Sequence, residues 1–200
     1  MCINEYLNVT IVRFLKYGLG NPFMRIVVAI SGASGTTYGV RLVEALKRLG
    51  HTVFVVVSGP ARKVAKYEGV KLPKADFRES EIDAPFASGS NSPDVMIIAP
   101  CSLKTLGNVA NGTGGGLIGR AAQVMLKERK KLILLVRETP LSLVAIENMA
   151  RASLAGAIIM PASPGFYAKH TEVSQLVDFM VGKVLDQAGV KHNLYKRWRK

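Results

Sequence analysis

Residues 25–39 read RIVVAISGASGTTYG, and the change of character along this stretch decides the fold. Ile26 to Ile30 are continuously apolar and mostly β-branched, which suits a parallel strand buried on both faces. Ser31-Gly32-Ala33-Ser34-Gly35 follows, where Gly32 and Gly35 allow a sharp turn and a close approach of backbone to a ligand. Ser34, Thr36 and Thr37 then offer hydroxyls where an amphipathic segment, Tyr38 to Leu49, begins. A strand, a Gly/Ser turn and a helix start together aim N–H groups and a positive dipole end at an anion. The spacing is not GxGxxG and no acidic residue closes the next strand, so the dinucleotide fingerprint is missing. Taken alone, the stretch fits a ligand-free β–α turn equally well.

The same alternation continues outward. Thr52 to Val57 reads as the second strand, with a helix through about Glu68. Residues 69–93 hold Pro73, Pro85 and Ser88-Gly89-Ser90 and read as a connection with at most one short strand. Asp94 to Ala99 is a buried strand, residues 103–110 are helical, and Asn111 to Gly116 (NGTGGG) is a loop. A helix from Leu117 to Lys130 leads to the strand Leu132 to Val136, and Pro140 suits the first turn of the next helix. Ala157 to Met160 is the last strand. Val173, Leu176, Val177, Met180, Val181, Val184 and Leu185 then trace one face of the final helix. Strands linked by crossover helices give a Rossmann-like, three-layer α/β/α fold with a mostly parallel sheet of about six strands. Ligands of such sheets bind outside the carboxyl ends of the strands. Those ends here are SGASG, SGP, PCSLKT, RETP and PASPGFY.

A chain of 200 residues with 48% hydrophobic and 20% charged residues suits one globular domain. Lys and Arg number 27 against 14 Asp and Glu, a net charge of +13 that favours anionic partners. Lys191, Lys196, Arg197, Arg199 and Lys200 crowd the last ten residues. They read as a solvated basic tail, because a nucleic-acid arm would interleave several aromatics. Two cysteines, Cys2 and Cys101, give no disulfide framework and fit a reducing cytoplasm. No apolar window is long enough for a membrane span. The expected organisation is an N-terminal extension over 1–23, with Met24 as the natural start, a domain over 24–190 and a basic tail over 191–200.

Several side chains could do chemistry, each with a plain structural alternative. Arg120 and Lys127 are two helical turns apart on one face, roughly 10 Å along the axis. They suit an elongated anion or a solvated basic face. Arg137 and Glu138 end a buried strand, where charges are costly unless paired. They form a structural ion pair, or the Arg137 fork binds phosphate while Glu138 handles a proton. Ser102 and Thr105 cap a helix or bind a ligand. Glu68 ends a helix where the dipole disfavours a carboxylate, so it is a frayed surface residue or a functional acid. Tyr167 covers the core or hydrogen-bonds an anion, and Lys183 snorkels or reaches one. The three histidines, His51, His170 and His192, show no metal-ligand spacing, and no nucleophile-elbow motif is present.

From Met24 to about Val190 the sequence closely resembles the UbiX-like flavin prenyltransferases. The resemblance rests on SGASGTTYGVRL, SGSNSPDVMIIAPCSLKTLGNVANG, LIGRAAQVMLKERKKLILLVRETPLS, and PASPGFY followed by LVDFMVGKVLD. PCSxxT, RAAxVxLKER and RETPLS in this order are its specific part. The resemblance implies transfer of a dimethylallyl group from dimethylallyl monophosphate to N5 and C6 of reduced FMN, without a metal. It also implies a homo-dodecamer and a product that serves UbiD-like decarboxylases. Gly32, Ala33, Ser34, Ser58, Ser102, Leu103, Lys104, Thr105 and Arg137 would contact FMN. Arg120, Lys127, Glu138, Tyr167 and Lys183 would surround the prenyl phosphate, with Ser34, Glu68 and Glu138 nearest the chemistry. Cations there would stabilise phosphate as it leaves, while Glu68 and Ser34 would help remove protons.

The sequence departs from the family in two places. Lys183 stands where many relatives carry Arg, keeping the charge but losing the fork. His170 replaces a proline usual after the FY motif, which loosens the loop carrying Tyr167. The nearest rival is a flavin-dependent phosphopantothenoylcysteine-type decarboxylase. Its early active-site histidine and PxMNxxMW motif are missing, and the single tryptophan is Trp198. A non-catalytic flavin carrier or nucleic-acid module is the other alternative; Arg120, Lys127 and Glu138 argue against a mere carrier.

Overall fold

The computed structural model describes residues 23–167 and 171–198. The expectations for residues 1–22, His170, Arg199 and Lys200 lie outside the described residues. Among the described residues five strands form one sheet: β1 (Arg25–Ile30), β2 (Thr52–Val57), β3 (Val95–Cys101), β4 (Lys131–Val136) and β5 (Ile158–Pro161). Their order is β2-β1-β3-β4-β5 and every pairing is parallel. Successive residues of β1 serve opposite cores: Ile26, Val28 and Ile30 face one, Val27 and Ala29 the other. That is why the run is apolar at every position rather than at alternate ones.

Five strands replace the expected six because residues 69–93 contribute none. Phe77 makes only an isolated bridge to Val56, and two short 3-10 turns, Pro85–Ala87 and Gly89–Asn91, complete the segment. Its prolines lack the N–H that a ladder needs. The segment is held by isolated backbone bonds, such as the Asp76 N–H to the Val55 carbonyl at 2.9 Å, and by side chains. Asp76 accepts a hydrogen bond from the Val55 N–H at 2.8 Å, and Phe77 meets Phe86 edge to face at 5.1 Å between ring centres.

Helices α1 (Thr36–Arg48), α2 (Gly59–Glu68) and α6 (Val173–Ala188) cover one face of the sheet. Helices α3 (Leu103–Asn111), α4 (Gly116–Lys127) and α5 (Leu143–Leu154) cover the other. Arg41 on α1 grips Asp178 on α6 through two bonds, of 2.5 and 3.3 Å. Some expected boundaries move. The loop expected over 111–116 shrinks, since Asn111 closes α3 and Gly116 opens α4. Helix α4 stops at Lys127, and Arg129 turns left-handed with φ 54°. Pro140 does not open α5; Ser142 caps that helix, its hydroxyl accepting from the Ala145 N–H at 3.3 Å. Val173 is 74% exposed, so the apolar stripe of α6 starts later than periodicity implies.

The described part of the C-terminal segment keeps its basic side chains Lys191, Lys196 and Arg197 exposed, but it does not run free of the domain. Residues 190–198 turn back along α6, with Leu194 and Tyr195 packed on the core. Asp186 collects the segment: it accepts from Tyr195 Oη at 2.5 Å and from Arg197 at 2.7 and 3.2 Å, and it meets His192 Nε2 at 3.0 Å. Desolvation pushes the Asp186 carboxyl up, but hydrogen bonds from Arg197, Tyr195 and His192 outweigh it and lower it from 3.8 to about 2. A depressed carboxylate adds stability above its unfolded value and loses it as pH falls through its folded value. Wild type should therefore melt above Asp186→Asn at neutral pH. The gap should close as pH falls from 3.8 towards 2. Parallel melting curves with a constant gap would contradict this.

Candidate functional site

Each crossover leaves a helix N-terminus at the carboxyl edge of the sheet. Three of them meet there around a cavity of about 290 Å3. Ser58 and Pro60 come from the start of α2, Ser102, Leu103, Lys104 and Thr105 from α3, and Gly115, Ile118 and Gly119 from α4. The Ser58 hydroxyl caps α2, accepting from the Ala61 N–H at 3.1 Å. Ser102 caps α3, accepting from the Thr105 N–H at 3.3 Å, with the two hydroxyls 3.1 Å apart. Each helix end carries roughly half a positive charge, and Lys104 adds a full one. Gly32 closes the wall from β1, and a Cβ there would strike Pro60. Glu79 and Glu138 are the carboxylates of the lining. The arrangement favours an anionic group and leaves carboxylates to handle protons.

Buried hydrogen bonds hold this edge together. Ser31, 1% exposed, donates from its hydroxyl to the Pro100 carbonyl at 2.8 Å and accepts from the Ser102 N–H at 2.8 Å. The β1 turn and the α3 cap are therefore locked to each other.

Glu68 takes a role its place in sequence does not show. Its carboxylate accepts from the Gly35 N–H at 2.6 Å, the Thr36 N–H at 2.9 Å and the Thr36 hydroxyl at 2.6 Å. Gly35 itself is left-handed, with φ 90°, and no side chain of its own caps α1. The last residue of α2 thus supplies the N-cap of α1, where the dipole favours a negative charge. Desolvation raises the Glu68 carboxyl, while bonds from Thr36, Gly35 and Ser34 lower it further, so it lies below its ordinary value. This contact couples Ser34 and Glu68, and it holds Glu68 as an anion.

A second cavity, of about 420 Å3, adjoins the first and is lined by Arg137, Glu138, Thr139, Leu141 and Ser163 among others. Glu138 walls both. The charges at Arg137 and Glu138 lie beyond the buried strand, 38% and 39% exposed and 4.0 Å apart, so desolvation does not force them to pair. Tyr38, which sequence reasoning passed over, lies near Arg137: burial raises its hydroxyl and the guanidinium lowers it, the net being upward. Glu79 and Asn108 were also missed. The glycine run was the one signal for the α4 end, since Gly115 needs φ 92°.

The five expected phosphate residues do not converge within one chain. Arg120 and Lys127 lie on α4, against the 85–91 segment: Arg120 donates to the Ala87 carbonyl at 3.1 Å, and Lys127 pairs with Glu128 over Gly89. Lys127 is in the last turn of α4, at the opposite edge of the sheet from Glu138. Tyr167 stacks on Phe179 of α6, and Lys183 is on α6 too, across the sheet from α4. The physical reason is position along the layers: the helix starts of both faces meet at the carboxyl edge, but Lys127 lies in the last turn of α4 and Lys183 in the third turn of α6, on opposite faces of the sheet.

The Flavoprotein family profile matches residues 19–185, the class that this fold and cavity define. A flavin prenyltransferase UbiX of Thermoplasma acidophilum is 45% identical over 182 residues, covering 88% of this chain and 100% of that one. A solved AnUbiX, in complex with FMN and dimethylallyl pyrophosphate, superposes with TM-score 0.85 at 39% identity, covering 90% of this chain and 99% of that one. A dodecameric FMN-dependent UbiX-like decarboxylase of Escherichia coli gives TM-score 0.84 at 37% identity, covering 88% and 100%. The chain belongs to the UbiX flavin prenyltransferase family.

Glu68→Gln keeps the shape but offers one acceptor oxygen to three donors. Urea unfolding should show a loss of about 1 kcal/mol, as for other N-cap changes. An unchanged midpoint would show that the cap contributes nothing.

Proposed function

We propose that this chain transfers a dimethylallyl group from dimethylallyl monophosphate to N5 and C6 of reduced FMN. The observation that carries the reading is Glu138, which walls two adjoining cavities. Transfer between two bound molecules needs a proton-handling group at their boundary, whereas a flavin carrier needs only one cavity. The first cavity fits a phosphorylated cofactor, with three helix N-termini, Lys104 and a wall at Gly32 that a Cβ would obstruct. Gly32, Ala33, Ser34, Ser58, Ser102 to Thr105 and Arg137 would hold FMN. When bound and reduced, the flavin supplies the electron-rich carbon and nitrogen that accept the alkyl group.

The chain's own residues do the rest. Arg137 offers its fork to phosphate. Glu138 gives a proton to the departing phosphate oxygen. Ser34, whose hydroxyl helps lower the Glu68 carboxyl, would relay a proton away from the flavin face with Glu68 beside it. Arg120, Lys127, Tyr167 and Lys183 complete the phosphate site only when copies assemble, since α4 and α6 lie on opposite faces. Exposed Leu143, Val144 and Ile146 on α5 support a homo-oligomer, which we take to be a dodecamer. The reading is metal-independent, with these cations doing the charge stabilisation, and it assigns the product to a UbiD-like decarboxylase. The reading places the protein in the cytoplasm, where the free Cys101, buried and with its thiol pushed up to about 12 by desolvation, is at no disadvantage. Among the described residues no helix is long and apolar enough to cross a membrane.

Anaerobic incubation with reduced FMN and dimethylallyl monophosphate should raise the flavin's mass by one dimethylallyl unit. Unaltered flavin would overturn the reading. Glu138→Gln should slow single-turnover prenylation on the order of 10²–10⁴-fold while FMN affinity holds. A fall in rate fully explained by lost FMN would remove Glu138 from the chemistry.

A further inference from the structure

The basic C-terminal segment lies along α6 and ends on Tyr167. Three features build that path. Gly182 opens a groove in α6: a Cβ there would meet the Tyr195 ring and, at 2.8 Å, His192. Asp186, one turn further on, binds Tyr195, Arg197 and His192 together. The chain then runs back so that Trp198 meets Tyr167 edge to face, 5.1 Å between ring centres. Phe179 joins both ends, 5.0 Å from Tyr195 and 5.8 Å from Tyr167. Lys183 is one turn from both Phe179 and Asp186 on the same helix.

We propose that residues 191–198 form a strap, latched on Asp186, that positions Tyr167 and Lys183 for the phosphate of the prenyl donor. Asp186 and Trp198 are positioning residues in this scheme and act through Tyr167 and Lys183. The proposal rests on the prenyl-transfer reading of the site. The loop before α6 carries Tyr167 at its exposed end, 47% accessible, with aromatic neighbours from α6 and the strap. Removing the Trp198 ring leaves Phe179 as the aromatic contact on the other side. Opening the latch at Asp186 frees Tyr195 and Arg197 together, and with them the residue that follows. A strap that only glued the helix would affect stability alone; a positioning strap affects the donor more than the flavin.

The full-length, FMN-loaded protein tests this with Trp198→Ala, Trp198→Phe, Asp186→Asn and Tyr195→Phe. Trp198→Ala should raise the donor KM about three- to tenfold, the worth of one aromatic pair, with FMN affinity and saturated turnover little changed. Trp198→Phe should restore most of the loss. Tyr195→Phe removes one hydroxyl from the latch and keeps the ring, so it serves if the other variants fold poorly. It should shift the donor KM in the same direction. A donor KM unmoved by these changes, or one that moves only in step with FMN affinity, overturns the strap. Trp198 is the single tryptophan, so quenching of its fluorescence by acrylamide reads the latch without any turnover. Asp186→Asn should make Trp198 more quenchable, and unchanged quenching overturns the latch. If the wild type prenylates nothing, the functional reading fails, and the latch then stands or falls on the quenching result.

Discussion

The structure depends on one constraint: a parallel sheet must be covered on both faces. Its strands carry no polar face, so each crossover has to lay a helix over apolar residues. Because the strands are parallel, the helix that follows each strand starts at the carboxyl edge. Unsatisfied N–H groups therefore gather at that edge whether or not a ligand comes. Here Ser58 and Ser102 cap two of those ends, and Glu68 caps a third from another helix. The cavity is the space left where the capped starts of α2 and α3 meet the glycine-rich start of α4 and the Gly32 turn. Its preference for an anion is a consequence of covering the sheet.

The same layering divides the residues expected around the prenyl phosphate. Arg120 and Lys127 belong to the face covered by α4, while Tyr167 and Lys183 go with α6 on the other. Within one copy the sheet separates them. In the proposed reading these residues surround the phosphate together only when copies assemble. The exposed apolar residues of α5 are a surface of the kind such assembly requires. Glu138 differs from those four residues in standing at the strand ends, where the faces meet.

Charge at the C-terminus obeys a local rule rather than an overall one. A net charge of +13 suggests a repelled, solvated tail. One carboxylate is enough to reverse that outcome, because Asp186 takes three donors from a stretch of six residues, His192 to Arg197. Gly182 provides the room, and the rings of Phe179, Tyr195, Tyr167 and Trp198 provide the apolar contact. Burial raises the Tyr195 hydroxyl to about 12, and Asp186 adds to the shift, so the phenol stays a donor to that carboxylate.

The sequence by itself determined the elements and the chemistry classes. Continuous apolar runs mean two-sided burial, and Gly, Pro and Ser punctuation marks the strand ends. β2 matched its expected span, Thr52 to Val57, because both signals agreed there. The motifs around PCSLKT and RETPLS were specific enough to identify the family before any geometry. Only the tertiary structure decided which residues meet. The carboxylate of Glu68 reaches back 33 residues to Gly35, and Asp186 reaches forward to Arg197. It also decided that 69–93 adds no strand, that Pro140 stands before a helix rather than in it, and that Lys127 lies far from Glu138. Periodicity reports which face of an element is buried, whereas meeting across elements depends on how the layers stack, and no local pattern encodes that stacking.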